Sequence, residues 1–283
     1  MSFSYPDGTQ ALQAINLDVK KGEFLALIGA SGCGKTTLLK HLIGLLKPSG
    51  GKFLLDGKES RSLTSKEIFR QVGMVFQDPN DQLFAATVEQ DVAFGVANLG
   101  FKPKEVTLRA AAALKMVDGL DLAGKAIHSL SFGQKKRVSI AGVLAMEPSV
   151  ILLDEPTSGL DPRAVSAIMR LLRRLNREKG ITFVMATHDI ELVPLFCDRV
   201  AVMSAGKLKT IGTPYTVFAD VEMLRATDMR LPRIAHMVEI LQEEDGIPFT
   251  RIPLTIGDAR REFLRCMNDK ANLQSVKQGE QKI

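Results

Sequence analysis

Three groups of residues in this 283-residue chain have the types and spacing to handle a phosphate chain. The first, Gly29-Ala30-Ser31-Gly32-Cys33-Gly34-Lys35-Thr36-Thr37, satisfies G-x-x-x-x-G-K-[ST]. In such a loop the glycines let the backbone wrap with its N–H groups inward, the lysine reaches the β- and γ-phosphates, and the following hydroxyl ligates Mg²⁺. A helix N-terminus adds partial positive charge at the same place. The second group, Asp154-Glu155, closes the apolar run Val150-Ile151-Leu152-Leu153. Asp154 is placed to bind Mg²⁺, and Glu155, one residue on, to polarise a water for in-line attack. The third, Ser131-Phe132-Gly133-Gln134, opens a helix that Ser131 can cap and that Gly133 lets a ligand approach closely. That is a second anion-binding helix N-terminus. One γ-phosphate has no use for two cradles from one chain, so this one points to a nucleotide held by another subunit. Gln77 and His188 complete the set: each follows an apolar strand, where an amide can reach Mg²⁺ and the attacking water, and an imidazole the γ-phosphate.

These residues need a sheet edge to hold them together. Phe24 to Ile28 feeds the glycine loop as a buried strand, and Thr36 to Ile43 leaves it with helical spacing. Val72 to Phe76, Val150 to Leu153 and Thr182 to Ala186 read as further buried strands, and Ala14 to Val19 as an alternating, half-buried one. Phe3-Ser4-Tyr5 ends a strand, Lys52 to Leu55 forms a short antiparallel one, and Arg199 to Ile211 turns at Ala205-Gly206 as a hairpin. Helices are expected from Val88 to about Val117, broken between Gly100 and Pro103, from Leu130 to about Met146, and from Arg163 to Glu178. The pattern is an α/β nucleotide-binding domain over residues 1–219. Residues 220–283 form a small helical appendage. One helix after Leu231-Pro232 places Ile234, Met237, Val238 and Leu241 on one side; a second, capped by Thr255, carries Ala259, Phe263 and Met267. A polar, disordered tail is expected from about Asp269.

Composition sets bounds. Lys+Arg 37 against Asp+Glu 32 leaves +5 spread without a block of like charge, so no nucleic-acid arm is implied. Cys33, Cys197 and Cys266 are odd in number and far apart, which implies neither a disulfide framework nor a zinc site and fits a reducing cytosol. No apolar run nears the roughly 18 residues of a membrane span, so a membrane role must come through a partner.

Taken in order, these motifs resemble the ATP-binding subunit of an ABC transporter over about residues 3–219. The match comprises Walker A (Gly29 to Thr36), the Q-loop (Gln77), the signature (Leu130 to Gln134), Walker B (Val150 to Glu155), the D-loop (Ser158 to Asp161) and the switch histidine (His188). The resemblance implies a P-loop NTPase core with an antiparallel β subdomain and a helical signature subdomain, using ATP and Mg²⁺. Gly29, Ser31, Gly32, Cys33, Gly34, Lys35, Thr36 and Thr37 would surround the phosphates, and Tyr5 would stack on adenine. Thr36, Gln77 and Asp154 would hold Mg²⁺, while Glu155, His188, Gln77 and Lys35 would serve hydrolysis. It also implies a head-to-tail dimer, homodimeric or with a related ATPase, in which Ser131, Gly133, Gln134 and Asp161 act across the interface.

The stretches Phe76 to Phe84, Thr87 to Gly95 and Gln134 to Val138, with the appendage, are similar to the ATPases of energy-coupling factor transporters, especially the cobalt/nickel type. That similarity implies a transmembrane coupling subunit, a substrate-binding membrane subunit and a place at the cytoplasmic face of the cell membrane; vitamin importers are the alternative. Soluble relatives of DNA repair carry a long coiled-coil insertion between Q-loop and signature, and those of translation usually carry two cassettes; neither fits here. A purely regulatory, degenerate site is disfavoured because both Glu155 and His188 are present. The sequence departs from the pattern twice: Phe132 stands where the signature more often has Gly, and Tyr5 is nearly terminal, so either a short edge strand or a misassigned start codon is expected.

Overall fold

The computed structural model describes residues 1–267. In chain order, β1 (Phe3–Ser4) and β2 (Gln10–Leu12) form a ribbon, and β3 (Phe24–Ile28) runs into α1 (Lys35–Leu42). A second ribbon, β4 (Leu54–Leu55) and β5 (Lys58–Glu59), precedes α2 (Ser65–Gln71) and β6 (Val72–Val75). Next come α3 (Val88–Asn98), α4 (Pro103–Met116), α5 (Phe132–Ala145), β7 (Val150–Asp154), α6 (Pro162–Lys179) and β8 (Thr182–Ala186). The short α7 (Val193–Phe196) leads to the hairpin β9 (Arg199–Ser204) and β10 (Lys207–Gly212). Then α8 (Pro214–Phe218), α9 (Val221–Ala226), α10 (Arg233–Glu243) and a helix over 256–267 follow.

The main sheet has six strands in the order β10-β9-β3-β8-β7-β6, with only β10 antiparallel. Its parallel strands are apolar on both faces because both faces are covered. Side chains alternate between two cores: Phe24, Ala26, Ile28, Ile151, Leu153, Phe183 and Met185 pack with α3, α5 and α6. Leu25, Leu27, Leu152, Val184 and Ala186 pack with Leu38 and Leu39 of α1, Leu12 of β2 and Ile68 of α2. Each fully buried Leu, Ile, Val, Phe or Met among them contributes about 1.5–3 kcal/mol by leaving water. The first core also takes in Leu224, Ala235 and Leu254 from beyond residue 219.

Several expectations need correction. Residues 14–19 show the expected alternation, Ile15 buried and Asn16 exposed, yet form no strand. Ala14 sits at φ +51°, which turns the chain out of β2, and Ile15 finds its backbone partner in Met1 instead of a sheet strand. Helix α2 was not expected from the sequence, although Thr64 and Glu67 cap it reciprocally in the T-x-x-E pattern. On α10 the buried line runs through Ala235, Val238 and Glu239, leaving Met237 40% exposed. Glu239 turns inward because Arg225 (2.9 Å) and His236 (3.1 Å) both bond its carboxylate. On the last helix Cys266 is buried and Met267 is exposed. The polar tail expected from about Asp269 lies outside the described residues.

Candidate functional site

The parallel strands bring their C-terminal ends to one edge. Val75 pairs with Leu153, Asp154 with Ala186, Leu27 with Ala186 and Ile28 with Val202. The residues that follow, Gln77, Glu155, His188 and the loop from Gly29, therefore emerge side by side, as ligand-binding residues do in open α/β sheets. They line a cavity of about 710 Å³ together with Tyr5, Ser31, Gly32, Gly34, Lys35, Thr36, Thr37 and Asp154.

Within the loop, Lys35 Nζ donates to the carbonyls of Gly29 (2.8 Å) and Ala30 (3.1 Å), so the ammonium is held at the centre of the wrap. Gly29 and Gly34 are needed for different neighbours. At Gly29 (φ +153°) a Cβ would stand 2.2 Å from the Met203 carbonyl oxygen and 2.7 Å from Cys33 Sγ; at Gly34 (φ +106°) it would stand 2.6 Å from the Ala11 carbonyl oxygen. Two of these obstacles are backbone and cannot rotate away. Gly29→Ala is accordingly expected to destabilise the fold by about 1–3 kcal/mol, read as a fall of about 2–4 °C in Tm per kcal/mol. Gly32 has open space around it and needs only its φ of +77°. Cys33 turns its thiol into the second core instead of lining the cavity.

Thr36 Oγ1 donates to Asp154 Oδ1 at 3.0 Å, joining the two motifs expected to share a metal. Burial pushes the Asp154 carboxyl above its ordinary value; the Thr36 hydrogen bond opposes this, the adjacent Glu155 charge adds to it, and Lys35 and Lys40 pull it back. A cation beside Asp154 would relieve the cost of keeping that buried charge. Thr36, Asp154 and Gln77 offer hydroxyl, carboxylate and amide oxygens, a hard donor set that suits Mg²⁺. Glu155 takes φ +44°, a left-handed conformation that costs a residue with a side chain about 1–3 kcal/mol. It is held there by its N–H to the Ala186 carbonyl (3.0 Å). Its Oε2 accepts from His188 Nδ1 at 2.8 Å and from the His188 backbone N–H at 3.4 Å. Tyr5 lies at the cavity's other end, its hydroxyl 3.0 Å from Thr37 Oγ1 and its ring edge-on to Phe3.

Ser131, Gly133, Gln134 and Asp161 do not line this cavity. Ser131 Oγ accepts from Gln134 N (3.3 Å) while Gln134 Oε1 accepts from Ser131 N (2.9 Å), a reciprocal cap on α5. Asp161 Oδ1 caps α6 through Arg163 N and Ala164 N, both at 2.9 Å. The unusual Phe132 packs on the D-loop: a Cβ on Gly159 would stand 3.0 Å from its ring. Sequence reasoning missed Thr9, Gln10, Ala11 and Gln13, which line the cavity because the β1–β2 ribbon folds over the loop. No local pattern marks them. It also missed Lys136, whose side chain is fully buried and whose Nζ donates to the Phe76 and Gln77 carbonyls. Burial pulls the Lys136 ammonium down to about 8, against the charges of Asp78, Asp154 and Glu155.

Comparison with known proteins supplies the family. The ABC transporter family model matches residues 12–158. The chain belongs to the ATP-binding subunits of ABC transporters, and as an ABC ATPase it hydrolyses ATP to drive transport. Within that family it stands close to the energy-coupling factor ATPases. It is 50% identical to an energy-coupling factor transporter ATP-binding protein of Clostridium perfringens, over 92% of this chain and 92% of that protein. Among solved structures, cbiO1 of Clostridium perfringens, described as part of the ABC transporter complex cbiONQ, is 49% identical with a TM-score of 0.73, over 84% of this chain and 96% of that one. The ATP-binding cassette MJ0796, a dimer bound to ADP and Pi, is 32% identical with a TM-score of 0.68, over 75% of this chain and 95% of that one.

Proposed function

We propose that this chain powers an energy-coupling factor importer for cobalt or nickel ions. The observation that carries the ATPase part is the convergence of Lys35, Thr36, Gln77, Asp154, Glu155 and His188 on one cavity. In this reading the loop from Gly29 to Thr37 holds the phosphates and Tyr5 stacks on adenine. Thr36, Asp154 and Gln77 would hold Mg²⁺, which would neutralise the phosphate oxygens. Glu155, oriented by His188, takes the proton of the attacking water. Ser131, Gly133, Gln134 and Asp161 stand outside the cavity because they serve the nucleotide of a second subunit, a copy of this chain or a related ATPase.

Among the described residues no helix is long and apolar enough to cross a membrane. The membrane part is therefore assigned to partners, a coupling subunit and a substrate-binding subunit, with this chain at the cytoplasmic face. We assign docking of these partners to the stretch after the Q-loop, where Phe84 and Phe94 are 66% and 47% exposed and pack edge to face at 4.7 Å. Phe94 stands on α3, and buried Asp91 of the same helix holds the loop that presents Phe84, accepting from Phe84 N (2.9 Å) and Ala85 N (2.8 Å). Phe84→Glu is expected to abolish co-purification with the membrane subunits, and with it uptake, while ATP binding by the isolated chain stays unchanged; retained assembly would show that the pair docks nothing. The ion is supported by the likeness to cbiO1, which extends beyond the cassette into the appendage. Deleting the gene should remove cobalt or nickel uptake. Loss of vitamin uptake with metal uptake intact would replace that assignment.

A further inference from the structure

We infer that Lys136 is a positioning residue for hydrolysis, the buried cation through which the signature helix fixes the backbone of Gln77. The inference rests on the role proposed above for Gln77 and extends it to a residue outside the cavity. Lys136 lies on the second turn of α5, the helix whose N-terminus carries Ser131 and Gly133. Its side chain is fully buried, and an ammonium in that setting is expensive unless its protons are satisfied. Two of the three go to main-chain oxygens: the Phe76 carbonyl at 3.1 Å and the Gln77 carbonyl at 2.6 Å. Two consecutive carbonyls aimed at one ammonium fix the peptide between them, and that peptide sets where the Gln77 side chain leaves the backbone.

Two flanking contacts tie the same segments together. Gln82 accepts from Phe76 N (3.1 Å) through Oε1 and donates to the Ser139 carbonyl (3.0 Å) through Nε2. Lys135 Nζ donates to Asn80 Oδ1 at 2.7 Å. The Q-loop from Phe76 to Gln82 and helix α5 are thus clamped along three successive contacts, with Lys136 the only one of them fully enclosed. A displacement of the signature end of α5 must then move Gln77, and an error of about 1 Å in a catalytic group can lower turnover on the order of 100-fold.

The test is a double-mutant cycle on the full-length chain, measuring kcat for ATP and, separately, the Kd for ATP with Mg²⁺. Lys136→Met keeps the length of the stem and removes the donor. It should lower kcat about 10- to 100-fold with Kd changed less than about threefold. In a Gln77→Ala background the same substitution should lower kcat less than about threefold, because the group it positions is already gone. A full loss repeated in that background, or a Kd that rises while kcat holds, overturns the inference. Should Lys136→Met fail to fold, Gln82→Met tests the same clamp by the same cycle, with the same outcomes deciding. Gln77→Ala with unchanged kcat would instead remove the role given to Gln77, and this inference with it.

Discussion

Glu155→Gln is expected to lower ATP turnover about 10²- to 10⁴-fold, the usual worth of a positioned general base, or about 3 to 5 kcal/mol of barrier. The substitution is nearly isosteric, and the structure gives it little else to disturb. The strained backbone at φ +44° is held by the Ala186 carbonyl, which a side-chain amide leaves alone. An amide oxygen can still accept from the His188 backbone N–H and Nδ1, where Oε2 now does. What disappears is a carboxylate, and with it both the proton acceptor and one negative charge at the phosphate end of the cavity. ATP binding should therefore survive, and a protein that closes on ATP but cannot split it should accumulate closed. Size-exclusion chromatography at saturating ATP and Mg²⁺ should show a dimer for Glu155→Gln. A monomer under those conditions would falsify the two-subunit sandwich, and unchanged turnover would remove Glu155 from the base role.

The parts of this molecule that were legible in the sequence are those where local pattern and tertiary context agree. A doubly covered parallel strand is apolar throughout, and Phe24–Ile28, Val150–Asp154 and Thr182–Ala186 are strands close to where that rule places them. The glycine loop was legible because its φ values and its close approaches, to Met203 and Ala11, admit few other residues. Residues 14–19 were misread for a physical reason: alternation reports which side chains are buried, and Ile15 and Leu17 do point inward, but a strand also needs a partner for its backbone. The appendage faces were misread because Glu239 is held inward by its bonds to Arg225 and His236, which hydrophobic periodicity cannot anticipate. Lys136 was invisible for the same reason, since a lysine in Gln134-Lys135-Lys136-Arg137 reads as solvated until the Q-loop carbonyls are seen above it.

Lys35→Met should show the opposite signature to Glu155→Gln, with binding lost first. Lys35 is 9% exposed and its ammonium is bonded to the Gly29 and Ala30 carbonyls, so its position is set before any phosphate arrives. A hydrogen bond to a charged group is worth about 1.5–3 kcal/mol, which predicts a rise in the Kd for ATP of roughly 10- to 150-fold. Turnover should fall further, about 10²- to 10³-fold, because a fixed donor aimed at developing charge acts most strongly in the transition state. A second effect adds to the first. Lys35 is among the charges that hold the Asp154 carboxyl down against its burial. Without it that carboxyl moves higher, and the carboxylate proposed to hold Mg²⁺ becomes harder to keep ionised. Met preserves the apolar stem, so Tm should change little; this separates loss of the cation from collapse of the loop, which Gly29→Ala attacks. Calorimetric titration with a non-hydrolysable ATP analogue and Mg²⁺ reads the result. A Kd within about threefold of the parent would mean that the backbone N–H groups and the helix N-terminus hold the phosphates without Lys35.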